Sequence, residues 1–289
     1  MTTNKNTNLK FLAFGDLHAD VYTDAEVRLE KIIESAKKNE VDFIVSLGDL
    51  CPPKEENKWL LNKLSDSGLS VYYTIGNHDT EHCKIEDALA FLGLKRGFYS
   101  FVVGEYKFIV LDDCYYKTEE GDEHFPNSER KPCIYPVVPD VELTWLESEL
   151  QDDKKFIVFS HISLVHGFEA RGVRNRDEIL KLFKNREVLL CMNGHNHGDD
   201  IKIINDTLFY TVNASTGFSW WGNTDAGFTV IELPYADPLH VIVELHNGNV
   251  RINGMQSYYT ETKPEEVGVV DNVWKGISTL PRTSSYNVQ

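Results

Sequence analysis

Residues 9–18 read Leu-Lys-Phe-Leu-Ala-Phe-Gly-Asp-Leu-His: an apolar run stopped by Gly15 and Asp16, with His18 close behind. The same pattern recurs further on. Phe43 to Leu47 is apolar and stops at Gly48 and Asp49, and Val71 to Ile75 stops at Gly76 and Asn77. Helical spacing fills the gaps. Asp24 to Lys38 is expected to turn Val27, Ile32, Ile33 and Ala36 to one face, and Glu55 to Leu64 to turn Trp59, Leu60 and Leu64 inward. Asp16 and Asp49 are 33 residues apart, and Asp49 and Asn77 are 28 apart; a βαβ unit takes roughly 30 residues. Three strands of one parallel sheet are therefore expected. Each delivers a polar residue at its carboxyl end, where open α/β sheets bind ligands.

Beyond this frame, Ile85 to Leu92 is expected to be helical, and Tyr99 to Val103 and Lys107 to Leu111 to be strands. An irregular stretch from Asp112 to Pro139 is too long for an ordinary connection, so it is expected to be a functional or mobile loop. Asp140 is expected to cap a helix through Leu150, with Leu143, Leu146 and Leu150 inward. Phe156 to Ser160 and Val188 to Met192 are expected strands flanking a helix at Arg176 to Phe183, and they end at His161 and at Asn193-Gly194-His195-Asn196-His197. After that, Ile201–Ile204, Leu208–Val212, Phe228–Leu233 and Val241–Leu245 are strand-like without helices between them, the mark of an antiparallel sheet. The tail, 261–289, is polar and weakly patterned. The overall expectation is one domain with a core over about 9–260, in which two sheets pack face to face with helices outside.

The bulk numbers narrow the function classes. There are 45 acids against 29 bases, a net charge of -16, which repels nucleic-acid backbones and gives no basic track for a strand. A bound cation pair can still reverse that field locally for a phosphate. No run of eighteen apolar residues exists, so no membrane partner is expected. Cys51, Cys83, Cys114, Cys133 and Cys191 form no Cys-x-x-Cys pair, which argues against a thiolate zinc site and for free thiols in a reducing compartment. With no signal-peptide core in Met1 to Lys10, a cytoplasmic location is expected.

The polar residues just past the apolar runs form a chemical set: Asp16, His18, Asp49, Asn77, His78, His161, His195 and His197, expected at one edge of one sheet. Setting His78 aside, seven protein ligands exceed what one zinc uses and suit two divalent ions sharing a carboxylate. Imidazole, carboxylate and amide donors without thiolate point to Mn, Fe, Zn, Co or Ni. Two such ions bring four positive charges and Asp16 and Asp49 return two, which leaves charge for a phosphate or a bridging hydroxide. His78 is left to protonate a leaving alcohol or to stabilise phosphoryl oxygens, with Asp79 placed to orient or charge it.

These residues resemble the calcineurin-like metallophosphoesterases, in Asp16-Leu17-His18, Gly48-Asp49, Gly76-Asn77-His78-Asp79, His161 and Gly194-His195-Asn196-His197, in family order over residues 9 to about 235. The resemblance implies an α/β fold, a four-layer αββα sandwich with two mixed sheets. It implies one metal on Asp16, His18, Asp49 and His197, a second on Asp49, Asn77, His161 and His195, and His78 as the catalytic histidine. The chain departs from the protein Ser/Thr phosphatases, which carry Gly-Asp-x-Val-Asp-Arg-Gly where Leu50, Cys51 and Pro52 follow Asp49, and Arg where Ile75 precedes Gly76. It departs from the purple acid phosphatases, which place a Tyr ligand after Gly-Asp. Ser163 stands where a proline is common after the histidine. The remaining pattern is similar to the small phosphodiesterase and nucleotide-hydrolase branches.

The expected activity is hydrolysis of a small nucleotide-like phosphodiester or phosphoanhydride by attack of a metal-bound hydroxide. The alternatives are a phosphomonoesterase and a non-catalytic binding module on the same fold. Other candidates have plainer readings. Phe218, Trp220 and Trp221 could stack on a base or fill the rim of the core. Arg171, Arg174 and Arg176 could clamp a second phosphate or start a solvated helix. His82, His124 and His166 read as loop residues, Glu119 to Glu123 as a solvated loop, and Asp112 and Asp113 as supports for ligand histidines.

Overall fold

This computed structural model describes residues 8–125, 135–165, 172–197, 200–216, 218–224, 227–232, 240–257 and 282–288, with the backbone alone for 218–224, 227–232, 255–257 and 282–288. Sheet one is built on β1 (Leu9–Phe14), β2 (Phe43–Ser46) and β3 (Ser70–Tyr73), parallel neighbours as the βα period requires. It is extended past β1 by β14 (Val241–His246), β15 (Asn249–Ser257) and β16 (Arg282–Val288), each antiparallel to its neighbour. Sheet two runs in the order β10 (Asp200–Ile204), β11 (Thr207–Thr211), β9 (Val188–Asn193), β8 (Lys155–Phe159), β5 (Tyr106–Val110) and β4 (Tyr99–Val103). Two hairpins stand apart: β6 (Tyr115–Lys117) with β7 (Asp122–His124), and β12 (Phe218–Thr224) with β13 (Gly227–Glu232).

The central strands are apolar on both faces because both faces are buried. In β1, Leu9, Phe11 and Ala13 point between the sheets, where they meet Phe108, Val110, Phe159 and Met192 of sheet two. Leu12 and Phe14 point the other way, onto Leu29, Ile32 and Ala36 of α1 (Ala25–Lys38) and Leu60 and Leu64 of α2 (Lys58–Asp66). On the far side, Ile109, Val158 and Cys191 pack on Leu146 of α4 (Asp140–Glu149) and on Ile179 and Phe183 of α5 (Arg176–Phe183). The order of layers is helix, sheet, sheet, helix, the expected αββα sandwich. The remaining helix is α3 (Ile85–Leu92), which ends on Gly93 in a left-handed conformation.

Several expectations are corrected. Val27 is 54% exposed, because the buried stripe of α1 runs through Ala25, Arg28, Leu29, Ile32, Ile33 and Ala36 and Val27 falls off it. Asp140 is the first helical residue of α4, after Pro139, and makes no capping hydrogen bond. The late strands do not form one antiparallel sheet. β10 and β11 join sheet two, with β11 parallel to β9, while β14 crosses back to pair with β1. Of the polar tail, Arg282–Val288 is an edge strand on β15, held through its backbone ladder, which leaves little apolar alternation in its sequence. The stretch 112–139 contains the β6–β7 hairpin, and Val137 bridges back to Tyr115. Cys51, Cys83, Cys114 and Cys191 are free thiols; Cys133 lies outside the described residues. Among the described residues, no helix is long and apolar enough to cross a membrane.

The contact between the sheets is aromatic at its centre. Phe11 stacks on Phe43 at 5.0 Å between ring centroids and meets the rings of Phe108 and Phe159 at 5.8 and 5.6 Å. Truncating this fully buried ring leaves a cavity shared by both sheets, so Phe11→Ala is expected to cost about 3–5 kcal/mol. The check is the shift of the urea unfolding midpoint at unchanged slope.

Candidate metal centre

The loops at the ends of β1, β2, β3, β8 and β9 meet at one pole of the sandwich. Asp16, His18, Asp49 and Asn77 come from sheet one; His161, His195 and His197 come from sheet two. The expectation of a single sheet edge is thus corrected: parallel strands of both sheets end at the same pole. Backbone bonds lock the loops together. Asp16 N–H donates to the Gly48 carbonyl and His18 N–H to the Asp49 carbonyl, both at 3.0 Å, and Gly194 N–H donates to the His161 carbonyl at 3.1 Å. The Asp16 carboxylate accepts the His195 N–H at 3.1 Å, across the two sheets.

The turns leave the strands abruptly. Asp16, His18, Asp49, His195 and His197 all have positive φ, from 44° to 64°. This region is uncommon outside glycine, though Asp and His tolerate it better than most. It reverses the chain within a residue or two, so both Asp16 and His18, or both His195 and His197, can face one point.

Two groups of donor atoms result, each with its atoms within 4.8 Å of one another: Asp16, His18, Asp49 and His197, and Asp49, His161 and His195. Asp49 belongs to both. Its Oδ1 accepts the His78 N–H at 2.8 Å, while its Oδ2 lies 3.3 Å from His161 Nε2 and 3.8 Å from His18 Nε2. Asn77 joins the second group, with Oδ1 3.1 Å from His161 Nε2.

Proton positions are set by the partners. His161 Nδ1 lies 2.8 Å from the Leu47 carbonyl, which can only accept, so Nδ1 carries the proton. The ring's other nitrogen, Nε2, faces Asp49 Oδ2 and Asn77 Oδ1, to which it donates when the ring is protonated and beside which it can ligate a cation when the ring is neutral. His18 Nε2 and His197 Nε2 stand 3.3 Å apart, and His197 Nε2 is 3.1 Å from Asp16 Oδ1. Imidazole nitrogens and carboxylate oxygens converge here with their donor and acceptor roles set by the ring protons, and the same atoms can ligate a cation in place of those protons. The donor chemistry fits two divalent ions of the borderline-soft kind.

The electrostatics of the protein groups alone follow from the same convergence. Burial drives the His18 imidazole down to about 4, only partly opposed by Asp49. Burial also pulls on His161, but the Asp49 carboxylate outweighs it and raises His161 to about 10. Asp49, penalised by burial, is nevertheless held well below the usual carboxylate range by His161 and His78. His78, drawn down by burial, is raised to about 9 by the charges of Asp49 and Glu81.

Asp79 does not take the place expected of it. Its Oδ1 accepts the N–H groups of Leu50 and Cys51, and its Oδ2 those of Asp49 and Gly76, at 2.8 to 3.1 Å. A buried carboxylate engaged with four amides fixes the loop under Asp49 and is turned away from the His78 ring. Burial, reinforced by Asp49, raises its pKa to about 7 against those amides. The His78 ring bonds Glu81 instead, a residue that the strand-end pattern of the sequence did not single out. The signal available was the His-x-x-Glu spacing within a turn.

The other candidates lie further from the donor groups. Asp113 accepts the N–H groups of His161 and Ile162 at 3.0 to 3.2 Å and so supports His161 through its backbone. Asp112 pairs with His124 Nε2 at 3.0 Å. Arg174 lies over the Tyr135 ring, and Arg176 opens α5. His82, Glu119, Glu120, Asp122 and Glu123 are exposed. Arg171, His166 and the side chains of Phe218, Trp220 and Trp221 lie outside the described residues.

With this geometry in view, the family assignment is direct. The model of the calcineurin-like phosphoesterases matches residues 9–199, the span carrying every strand end described above. The chain belongs to the calcineurin-like phosphoesterase family and is a phosphoester hydrolase. No curated protein matches it. Among solved structures, a dimetal phosphatase from Danio rerio aligns at TM-score 0.66 and 16% identity, over 84% of this chain and 95% of that one. GAP50, the anchor in the inner membrane complex of Plasmodium, aligns at 0.58 and 18%, over 94% and 90%. A protein of Thermus thermophilus aligns at 0.52 and 19%, over 78% and 99%. At these identities the likeness is one of fold.

Gly76 lets the loops approach this closely: a Cβ there would collide with the Asp49 carboxylate and backbone nitrogen. Gly76→Ala must displace Asp49. It is expected to lower bound metal and to reduce turnover by about 100-fold, the scale of a 1 Å misplacement, with the far-UV circular dichroism of the wild type.

Proposed function

We propose that the protein hydrolyses a small, nucleotide-like phosphodiester or phosphoanhydride with two divalent metal ions. Asp16, His18, Asp49 and His197 hold one, and Asp49, Asn77, His161 and His195 hold the other. The observation carrying this reading is the position of Asp49 Oδ2 between His161 and His18, common to both donor groups. A pair of Mn, Fe, Zn, Co or Ni ions supplies Lewis-acid charge for the phosphoryl oxygens and acidifies a water. The residues do the rest. Two carboxylates against four positive charges leave the site cationic inside an acidic protein, which selects an anionic substrate. His78, 30% exposed and edge-on to His18 at 5.0 Å, stands at the rim and hands a proton to the departing oxygen.

A protein Ser/Thr phosphatase is disfavoured by the absence of its arginine motifs around Asp49 and Gly76. A phosphomonoesterase is the second reading, favoured by the fold shared with the Danio rerio dimetal phosphatase. A cytoplasmic location belongs to the proposal and draws on the four free thiols.

Chelator-stripped protein reloaded separately with Mn, Zn, Co, Ni or Mg should regain hydrolysis of bis(p-nitrophenyl) phosphate as bound metal reaches about two ions per chain. Faster cleavage of p-nitrophenyl phosphate would favour the monoesterase. Two bound ions with no cleavage of either would move the protein toward a binding role. His78→Ala is expected to keep its metal and lose about 100-fold or more in kcat on an unactivated ester; near-normal turnover would remove His78 from the mechanism.

A further inference from the structure

We propose that Glu81 is the positioning residue of His78: it accepts the Nδ1–H of the ring and thereby commits Nε2 to the substrate. This rests on the phosphoesterase reading above and extends it to a residue that no motif marks. The observation is geometric. His78 Nδ1 lies 2.6 Å from Glu81 Oε2, within the range of charge-assisted hydrogen bonds. Both side chains are partly open to solvent, at 30% and 25%, so a plain surface ion pair is the competing account.

Two features separate this pair from a surface pair. Exposed pairs are weak because two long side chains must be immobilised together. Here the backbone carrying each side chain is already fixed. The His78 backbone N–H is held by Asp49 Oδ1 at 2.8 Å. The turn that carries Glu81 is anchored by Asp79 on four amides and by Cys83, whose N–H meets the Thr80 carbonyl at 3.3 Å. The pair also supplies what the rest of the site withholds. The nearest acid in sequence, Asp79, is committed beneath Asp49, so among the carboxylates bonded around this turn only Glu81 meets the ring of His78.

The consequence is a defined ring orientation. With the Nδ1–H held by Glu81, the Nε2–H of the protonated ring is the one that faces the reacting ester. As the bond between phosphorus and the leaving oxygen breaks, its electron pair stays on that oxygen, which takes the proton from Nε2. The oxygen of the attacking water forms the new bond to phosphorus, and the water's proton returns the imidazole to its starting state by way of solvent. A ring free to rotate would offer either nitrogen, and the loss would be felt most by esters whose leaving oxygen needs a proton.

The test uses the full-length, metal-loaded protein and its Glu81→Ala and Glu81→Gln variants. In Glu81→Ala, bound metal and KM should stay at wild-type values. Its kcat should fall about 100-fold on an alkyl ester and only several-fold on the p-nitrophenyl ester, whose leaving group needs no acid. Glu81→Gln, whose amide oxygen can still accept the Nδ1–H, should recover at least about ten-fold over Glu81→Ala on the alkyl ester. A readout independent of turnover is the 15N–1H spectrum of the histidine rings. The wild type should show a slowly exchanging His78 Nδ1–H that Glu81→Ala lacks. Wild-type kcat in Glu81→Ala, or an equal loss on both esters, would overturn the proposal. So would a wild-type His78 protonated at Nε2 with Nδ1 bare, whether or not any ester is cleaved. If the wild type shows the Nδ1–H but cleaves no ester, the phosphoesterase reading has failed and the pairing stands.

Discussion

The carboxylate of Asp49 is where the two halves of the sandwich are reconciled. It sits at the end of β2 in sheet one, is 1% exposed, and meets His161 from sheet two. A buried carboxylate costs several kcal/mol unless its oxygens are matched. One oxygen of Asp49 is matched by the His78 N–H; the other is matched, among the described residues, by the His161 ring, which must itself bring a positive charge to do so. Much of the surrounding architecture serves that need. Asp79 pins the Asp49 loop from below, Asp113 pins His161 through its backbone N–H, and the Leu47 carbonyl turns the His161 ring so that Nε2 faces inward.

The backbone bears a second cost for the same arrangement. Five donor residues occupy the left-handed region, where a non-glycine residue carries strain of about 1–3 kcal/mol, toward the lower end for Asp and His. The remaining non-glycine residues with positive φ, such as Asn185, Asn205 and Asn247, lie in turns or loops away from this pole. Strain at the strand ends is held in place by the depth of the core beneath. β1, β2, β8 and β9 are buried on both faces, so the peptide planes feeding the loops cannot relax without opening the contact between the sheets.

How much of this was legible in the sequence depends on the range of the interaction that decides each feature. An apolar run halted by Gly-Asp or Gly-Asn is a local signal, and it marked the ends of β1, β2 and β3 and the residues standing on them. The helices α3 and α5 were legible to the residue because their apolar spacing is unbroken. The partner of a strand is not a local matter. The run at Val241 looks the same whether it pairs with β13 or crosses back to β1, and only packing of the whole sandwich chooses. The edge strand at Arg282–Val288 is specified by a backbone ladder that leaves almost no mark on side-chain pattern. The choice of Glu81 over Asp79 as the partner of His78 turned on side-chain direction within one turn. Residues one and three positions from His78 point to opposite sides there: Asp79 into the loop under Asp49, Glu81 outward beside the ring.

The fold alone leaves the chemistry open, since an anchor of the Plasmodium inner membrane complex shares it over 94% of this chain. The family supplies the hydrolase assignment, and what the site costs agrees with it. A scaffold used only for its surface gains nothing from imidazole nitrogens facing each other at 3.3 Å, from a buried carboxylate set against a buried imidazole, or from strained turns at five strand-end residues. Apolar residues of similar volume would remove those costs and leave the layers packed as they are. A pair of cations at this cluster would offset all of these costs together, and would turn the pole of an acidic protein into a place where an anionic ester can bind. His78 stands at the edge of that pole, held by Asp49 on its backbone and by Glu81 on its ring, in a position that metal binding alone would not require.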